Sequence, residues 1–453
     1  MKVNTVSTKT IRPESFRIDP SFHLSEAIAL RKELEKVPYG NIAIKDVTEK
    51  VFLGNIFSRI FVKDKEHGVP YLAASDTVLA DHSTGRFIAN KQAKELSYLM
   101  LKKDWIVITC SGTIGNVTYT NSTFENHIAT HDLIRVIPND NIIKKGCLYA
   151  YLSSKYGYNQ LTQSRFGGVV KHINADHVNN ITVPKFPDSF QKVVNDLIQE
   201  SSHLREEASS FLNKAISYFE SKYPIKGEIT QYFTKKISDL NFSIAAYNNN
   251  LEVEKFTNLY ISNALKLRDI TSKIFAPPLF KHIYLSKDNG FPFMTGSELT
   301  RFNMRYYRWL SPKGVKDIQD YVVNTGTLLL YKSGTTDGGI LGNVFIADET
   351  LNGCCLSDHV IRIVFNDNNL AYWTFAFLKS PGGVKLLQRL ATGTMIPFIT
   401  PERIAELYIP EPDEFKDTIV DYVDKFVKLT SKAKTLENLA ISMVEQEIEK
   451  WNN

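Results

Sequence analysis

Nowhere in the 453-residue sequence does an apolar run reach membrane-spanning length, and the N-terminal stretch MKVNTVSTKTIRPESF lacks the apolar core of a secretory leader. Cysteine is scarce. The four present, Cys110, Cys147, Cys354 and Cys355, show no C-x-x-C spacing and two are adjacent, which suits neither a zinc site nor a disulfide framework. Buried thiols in a reducing compartment, and so a cytoplasmic protein, are the expectation. Catalytic signatures are missing as well: there is no Walker-type phosphate loop, no H-E-x-x-H, no G-x-S-x-G elbow and no Asn-Pro-Pro-aromatic element to hold an amine for methylation. Ser111 and Ser333 lie in glycine-flanked turns, but no histidine accompanies both, so no nucleophile and base recur as a pair. His131 and His359 sit beside aspartates in opposite order, HD and DH, which directs them to opposite faces of a strand and argues against a repeated metal site. No catalytic residue, metal or cofactor bound by this chain is expected.

What the sequence does contain is one unit written twice. Phe190, Val194, Leu197, Ser201, Leu204, Ala208, Phe211, Ala215 and Tyr218 are spaced alternately four and three residues apart, the seam of a long helix made to pair with another. Phe415, Ile419, Tyr422, Phe426, Leu429, Ala433, Leu436, Ala440 and Met443 repeat that seam at an offset of about 225 residues. Earlier blocks repeat in the same order. IKDVTEKVFLGNIFSRIFV from Ile44 answers LRDITSKIFAPPLFKHIYL from Leu267, GVPYLAASD answers GFPFMTGSE, and SGTIGNV answers SGTTDGGILGNV with an inserted loop. The stretch from Gly167 through Ile173 to Pro184 answers Gly393 through Ile399 to Pro410. Each unit reads as a curled mixed sheet of short strands with short helices, feeding a long helix across a proline boundary.

Composition is ordinary for a globular protein, at 43% hydrophobic and 23% charged, and the net charge of +5 favours an acidic partner without demanding one. Nucleic acid is the partner that the motifs favour. Ser-Gly-Thr turns expose N–H groups and hydroxyls to phosphate oxygens, and both units have one. The candidates for DNA contact are Lys91, Lys94, Ser111, Thr113, Lys171 and His172 in the first unit, and Arg301, Arg305, Arg308, Lys332, Ser333, Thr335 and Arg389 in the second. Arg301 to Trp309 interleaves arginines with aromatics, which reads either as a DNA-contacting loop or as a half-buried strand with snorkelling arginines.

In their order and repetition, the duplicated blocks, the SGTIGNV-like turns, the Ile-Pro boundaries (ITVPKFP at Ile181, LYIPEPD at Leu407) and the terminal helices resemble the DNA specificity subunits of Type I restriction-modification systems. The resemblance implies an α+β architecture. Target-recognition domains at 1–186 and 224–411 alternate with spacer helices at 187–223 and 412–453, which form an antiparallel coiled coil with pseudo-two-fold symmetry. It further implies a non-catalytic subunit that reads a bipartite, asymmetric site on double-stranded DNA and docks methyltransferase subunits. S-adenosylmethionine would be held by that partner, and a restriction and translocase subunit would join. The rival reading is a structural or interaction protein, with a coiled-coil rod and duplicated protein- or glycan-binding domains.

Overall fold

The computed structural model describes residues 23–79, 85–112, 114–163, 172–225, 232–240, 242–287, 289–299, 308–334, 341–393 and 395–452. The chain sorts into two compact units, residues 1–206 with 433–453 and residues 207–432. Both are built from the same strands in the same spatial order. In the first, Thr48–Phe52, Leu133–Pro138, Ile106–Thr109 and Val117–Tyr119 lie side by side; in the second, Thr271–Phe275, Val360–Phe365, Leu328–Tyr331 and Val344–Ile346 do so. Ile106–Thr109 and Leu328–Tyr331 are buried at every position, as short unbroken apolar runs of this kind require. Even an irregularity recurs, since the register slips between Thr48 and Lys50 and again between Thr271 and Lys273.

A second sheet in each unit places Gly68–Leu72 between Phe87–Ala89 and Ile128–Ala129, and Phe291–Met294 between Arg308–Leu310 and Cys355–Leu356. A short antiparallel pair then closes each unit: Asn41–Ala43 lies on Thr182–Pro184, and Ala264–Lys266 on Tyr408–Pro410. The Ile-Pro boundary is therefore paired to the unit's own entry strand just before the chain enters its long helix.

Behind the first sheet of each unit two helices cross, Lys145–Ser153 with Lys155–Gln163 and Asn368–Lys379 with Pro381–Gln388. Their crossing depends on a glycine in the same place. A Cβ on Gly157 would stand 2.6 Å from the Leu152 carbonyl oxygen, and one on Gly383 would stand 2.6 Å from Leu378 Cα. The preceding serines, Ser154 and Ser380, are buried, and their hydroxyls accept from the N–H groups of Gly157 (3.3 Å) and Gly383 (3.2 Å).

The central helix, Asp188–Lys222, and the C-terminal helix, Lys416–Asn452, are 35 and 37 residues long, and each contributes to both units. Within each unit they run antiparallel. In the first unit Ser201 donates to the Ala433 carbonyl (2.8 Å), while Trp451 reaches Phe186 (ring centroids 5.4 Å) at the opposite end. In the second, Phe211 meets Tyr422 (5.9 Å) and Tyr218 meets Phe415 (5.3 Å). The buried stripe differs in phase from the seam spacing at alternate positions. Val194, Ile198, Ser201, Ala208, Leu212, Ala215 and Phe219 are buried, whereas Phe190, Leu197, Phe211 and Tyr218 are only half-buried and Phe415 is exposed. Leu204 and Ile419 are buried; Tyr422, Phe426, Leu429 and Leu436 are half-buried. The reason is that each helix serves two faces. Phe211 and Tyr218 meet the partner helix, while Phe219 packs on Trp373 and Phe377 of its unit's own crossed helices.

All four cysteines are buried and unpaired, and burial pushes the Cys110, Cys354 and Cys355 thiols up to about 12. Among the described residues no helix is long and apolar enough to cross a membrane.

Candidate nucleic-acid interface

The start of each Ser-Gly-Thr motif is joined to a segment that lies far from it in sequence. Ser111 bridges His172, and the Ile173 N–H donates to Cys110 O (3.0 Å). In the second unit Ser333 bridges Phe398, the Gly334 N–H donates to Pro397 O (3.1 Å), and the Ile399 N–H donates to Lys332 O (2.8 Å). Gly112 takes a φ of +67°, a left-handed turn that suits glycine. Thr113, Lys171, Arg301, Arg305 and Thr335 lie outside the described residues.

The remaining candidates fall in different settings. Lys91 and Lys94 are exposed on the helix Asn90–Glu95. Gln92 of that helix accepts from Ile60 N–H (2.9 Å) and donates to Ser58 O (2.5 Å), so the helix props the loop that precedes Phe61. Arg308 is a brace. It pairs with Glu298 (2.8 Å) and rests on the Tyr284 ring (5.6 Å); burial works to lower its pKa, but Glu298 holds it above the ordinary value. Arg86 pairs with Asp76 at the corresponding place. Each carboxylate also accepts a backbone N–H from its own turn, Ala73 (2.6 Å) or Thr295 (2.7 Å). Lys332 is half-buried. Arg389 is half-buried beside Tyr260 and Glu254, and burial lowers its pKa.

The geometry brings forward a different set of residues. In the second unit an open groove of about 550 Å³ is lined by Leu279, Phe280 and His282, by Thr295 and Gly296, by Tyr331 and Ser333, and by Ser357, Asp358 and His359. Corresponding segments meet in the first unit. Phe57 contacts the His131 ring edge-on (5.8 Å), and Arg59 donates through Nε to Tyr71 Oη (2.5 Å) and through Nη2 to Thr130 Oγ1 (3.2 Å). The repeat offset sets Arg59 against His282, Thr109 against Tyr331, His131 against Asp358 and Asp132 against His359, with Ser111 and Ser333 shared. One frame thus presents two different sets of donors and acceptors. Sequence reasoning missed Arg59 and His282, although both lie in a repeated block, between the shared Phe57/Phe280 and Ile60/Ile283, at a place where the copies diverge.

The floor of this site is also braced. Arg135 and Arg362 occupy the same strand position in the two units and are buried; burial lowers both to about 10, which leaves them protonated at neutral pH. Arg135 donates to Leu99 O (3.1 Å), Ala129 O (3.0 Å) and Thr130 O (3.2 Å). Arg362 donates to Leu356 O (2.7 Å) and Ser357 O (2.9 Å). All of these carbonyls except that of Leu99 belong to the segment that carries Thr130 in one unit and Ser357 in the other.

A family model, the Type I restriction modification DNA specificity domain, matches residues 36–199 and again 263–440. No curated protein matches the chain. Among solved structures, the Type-I restriction-modification system S subunit from M. genitalium is similar at 12% identity, with 92% of this chain and 95% of that chain covered and a TM-score of 0.30. The HsdS subunit from Thermoanaerobacter tengcongensis is similar at 14% identity, with 91% and 98% covered and a TM-score of 0.28.

Proposed function

The chain belongs to the Type I restriction modification DNA specificity family, carrying its domain twice, and on that premise we propose that it is the non-catalytic subunit that chooses the DNA sequence on which a restriction-modification complex acts. Each unit reads one half of a split, asymmetric target on double-stranded DNA. The paired helices serve as spacer and as docking surface for methyltransferase subunits, which hold S-adenosylmethionine and perform the chemistry; a restriction and translocase subunit joins the same assembly. The observation that carries this reading is the repeated frame, in which corresponding segments meet in both units and carry different side chains. A protein that bound two copies of one half-site would need the same donors twice, whereas Arg59 against His282 and His131 against Asp358 offer different patterns to base edges.

The test is genomic. Modified bases mapped by single-molecule sequencing in the native host should fall in one bipartite motif, and that modification should vanish when this gene alone is deleted. A modification pattern unchanged by the deletion overturns the proposal.

A further inference from the structure

Most arginines of this protein for which a setting is described serve the fold. Arg135 and Arg362 are buried on carbonyl oxygens, and Arg86, Arg205 and Arg308 are each held by a carboxylate. Arg59 is different. It is exposed, yet it is held in place at two points: Nε donates to Tyr71 Oη and Nη2 donates to Thr130 Oγ1. Its guanidinium also lies 5.8 Å from the Phe57 ring centroid and 5.6 Å from that of Tyr71. A long, exposed side chain ordinarily keeps its rotamer freedom, and fixing it costs free energy that must be recovered on binding. Here that cost is met inside the free protein by neutral partners, and among the described residues no carboxylate pairs with Arg59.

Resting on the DNA-reading function proposed above, we infer that Arg59 is the principal base-reading side chain of the first unit and that His282 holds the corresponding place in the second. Tyr71 and Thr130 engage the Nε–Nη2 side of the guanidinium of this exposed residue, and its Nη1 end takes part in neither bond. That is the geometry that meets O6 and N7 of guanine with two parallel hydrogen bonds. His282 lies against Phe280 (4.5 Å) and Phe293 (5.1 Å), its Nδ1 is hydrogen-bonded with Tyr284 Oη (3.2 Å), and the single Nε2 that remains makes no such fork. The half-site read by the first unit therefore contains a guanine that the second unit does not demand at the equivalent position. Tyr71 and Thr130 act as positioning residues.

The experiment uses the complex purified from its native host through a tag on this full-length chain, and selection from a random duplex DNA pool. Arg59→His copies the residue that the same frame already accommodates in the second unit, and it should reduce discrimination at one base pair of one half-site on the order of tenfold to a hundredfold, leaving the other half unchanged. His282→Arg should alter only the other half. An Arg59→His motif identical to the wild-type motif overturns the inference, as does general loss of enrichment at an unchanged melting temperature. If Arg59→His itself lowers the melting temperature, His282→Arg decides: an altered second half supports the inference and an unaltered one overturns it. A wild-type complex that enriches no motif strikes instead at the DNA-reading function.

Discussion

Asp413 closes the start of the C-terminal helix, accepting from Phe415 N–H (3.0 Å) and from Tyr218 and Lys222 at the end of the central helix. Burial works to raise its pKa, but the hydrogen bonds from Lys222, Tyr218 and Phe415 hold it below the ordinary 3.8. A carboxylate whose folded pKa is depressed contributes stability that is present above its unfolded value and is lost as pH falls through the folded one. Asp413→Asn should therefore lower the thermal midpoint at neutral pH, and the variant and wild-type curves should converge as the medium is taken below the carboxylate range. A gap between the curves that persists at low pH would show that the carboxylate charge is not what matters. Roles at this scale were partly legible in sequence. Ser111-Gly112 and Ser333-Gly334 each follow the matching central strand of their unit, as the repeats imply, because turn chemistry is local. Arg59 was not legible, since its meaning depends on Tyr71 and on Thr130, 71 residues away. Arg308 belonged to a segment rich in charge and aromatics, but the Glu298 that occupies it could not be assigned from spacing alone.

Across the helix pair, the period could be read from the sequence while half of its phase could not. Spacing of four and three identifies a seam, but it does not reveal that Phe219 and Ile198 turn toward the unit's own helices and sheet, and so are buried more deeply than their neighbours Tyr218 and Leu197. The same second face carries a polar cluster. Arg205 and Tyr149 both donate to Glu437, and all three are buried or nearly so. Side chains lean toward the N-terminus of their own helix, so antiparallel neighbours lean toward one another, and that brings Arg205 and Glu437 into contact. At the repeat-related places stand Leu212, Thr430 and Phe375, which cannot form the cluster. Glu437→Leu should strand the Arg205 charge and destabilise the first unit by about 3–5 kcal/mol, while adding Arg205→Leu should recover most of that loss. Denaturant titration of the single and double variants measures both. A double variant no better than the single would mean that the pair is not coupled. Such a cluster, present in one unit and absent from the other, distinguishes two helix sites that the duplication made alike.

Taken as a whole, the protein keeps a frame and varies what the frame presents. Strand order, bulge, crossed-helix glycine, capping serine and buried strand arginine are all held in common, while most of the groove residues differ. The shared part was readable because backbone constraints leave marks on sequence, such as a glycine where a Cβ would collide or a proline where a strand ends. The variable part was not, because the groove residues follow no internal period and no backbone constraint marks them in the sequence. Exchanging residues 1–186 for the matching domain of another family member should therefore change one half of the modified sequence and leave the other intact, as read by genome-wide base modification. Changes in both halves would contradict independent reading.

The division of the chain has a further consequence for its birth. The first unit is completed by residues 433–453, whose Ala440, Ile441, Val444 and Ile448 fill its core beside Val194 and Ile198. At the ribosome those side chains emerge only after the second unit has been made, roughly 10 to 50 seconds later at ordinary elongation rates. Until then the first unit exposes an apolar trough, so the nascent protein needs shelter for longer than its early sequence suggests. Messages cut short near residue 430 should yield chains that proteases clear, although every residue of the second unit's groove has already been translated.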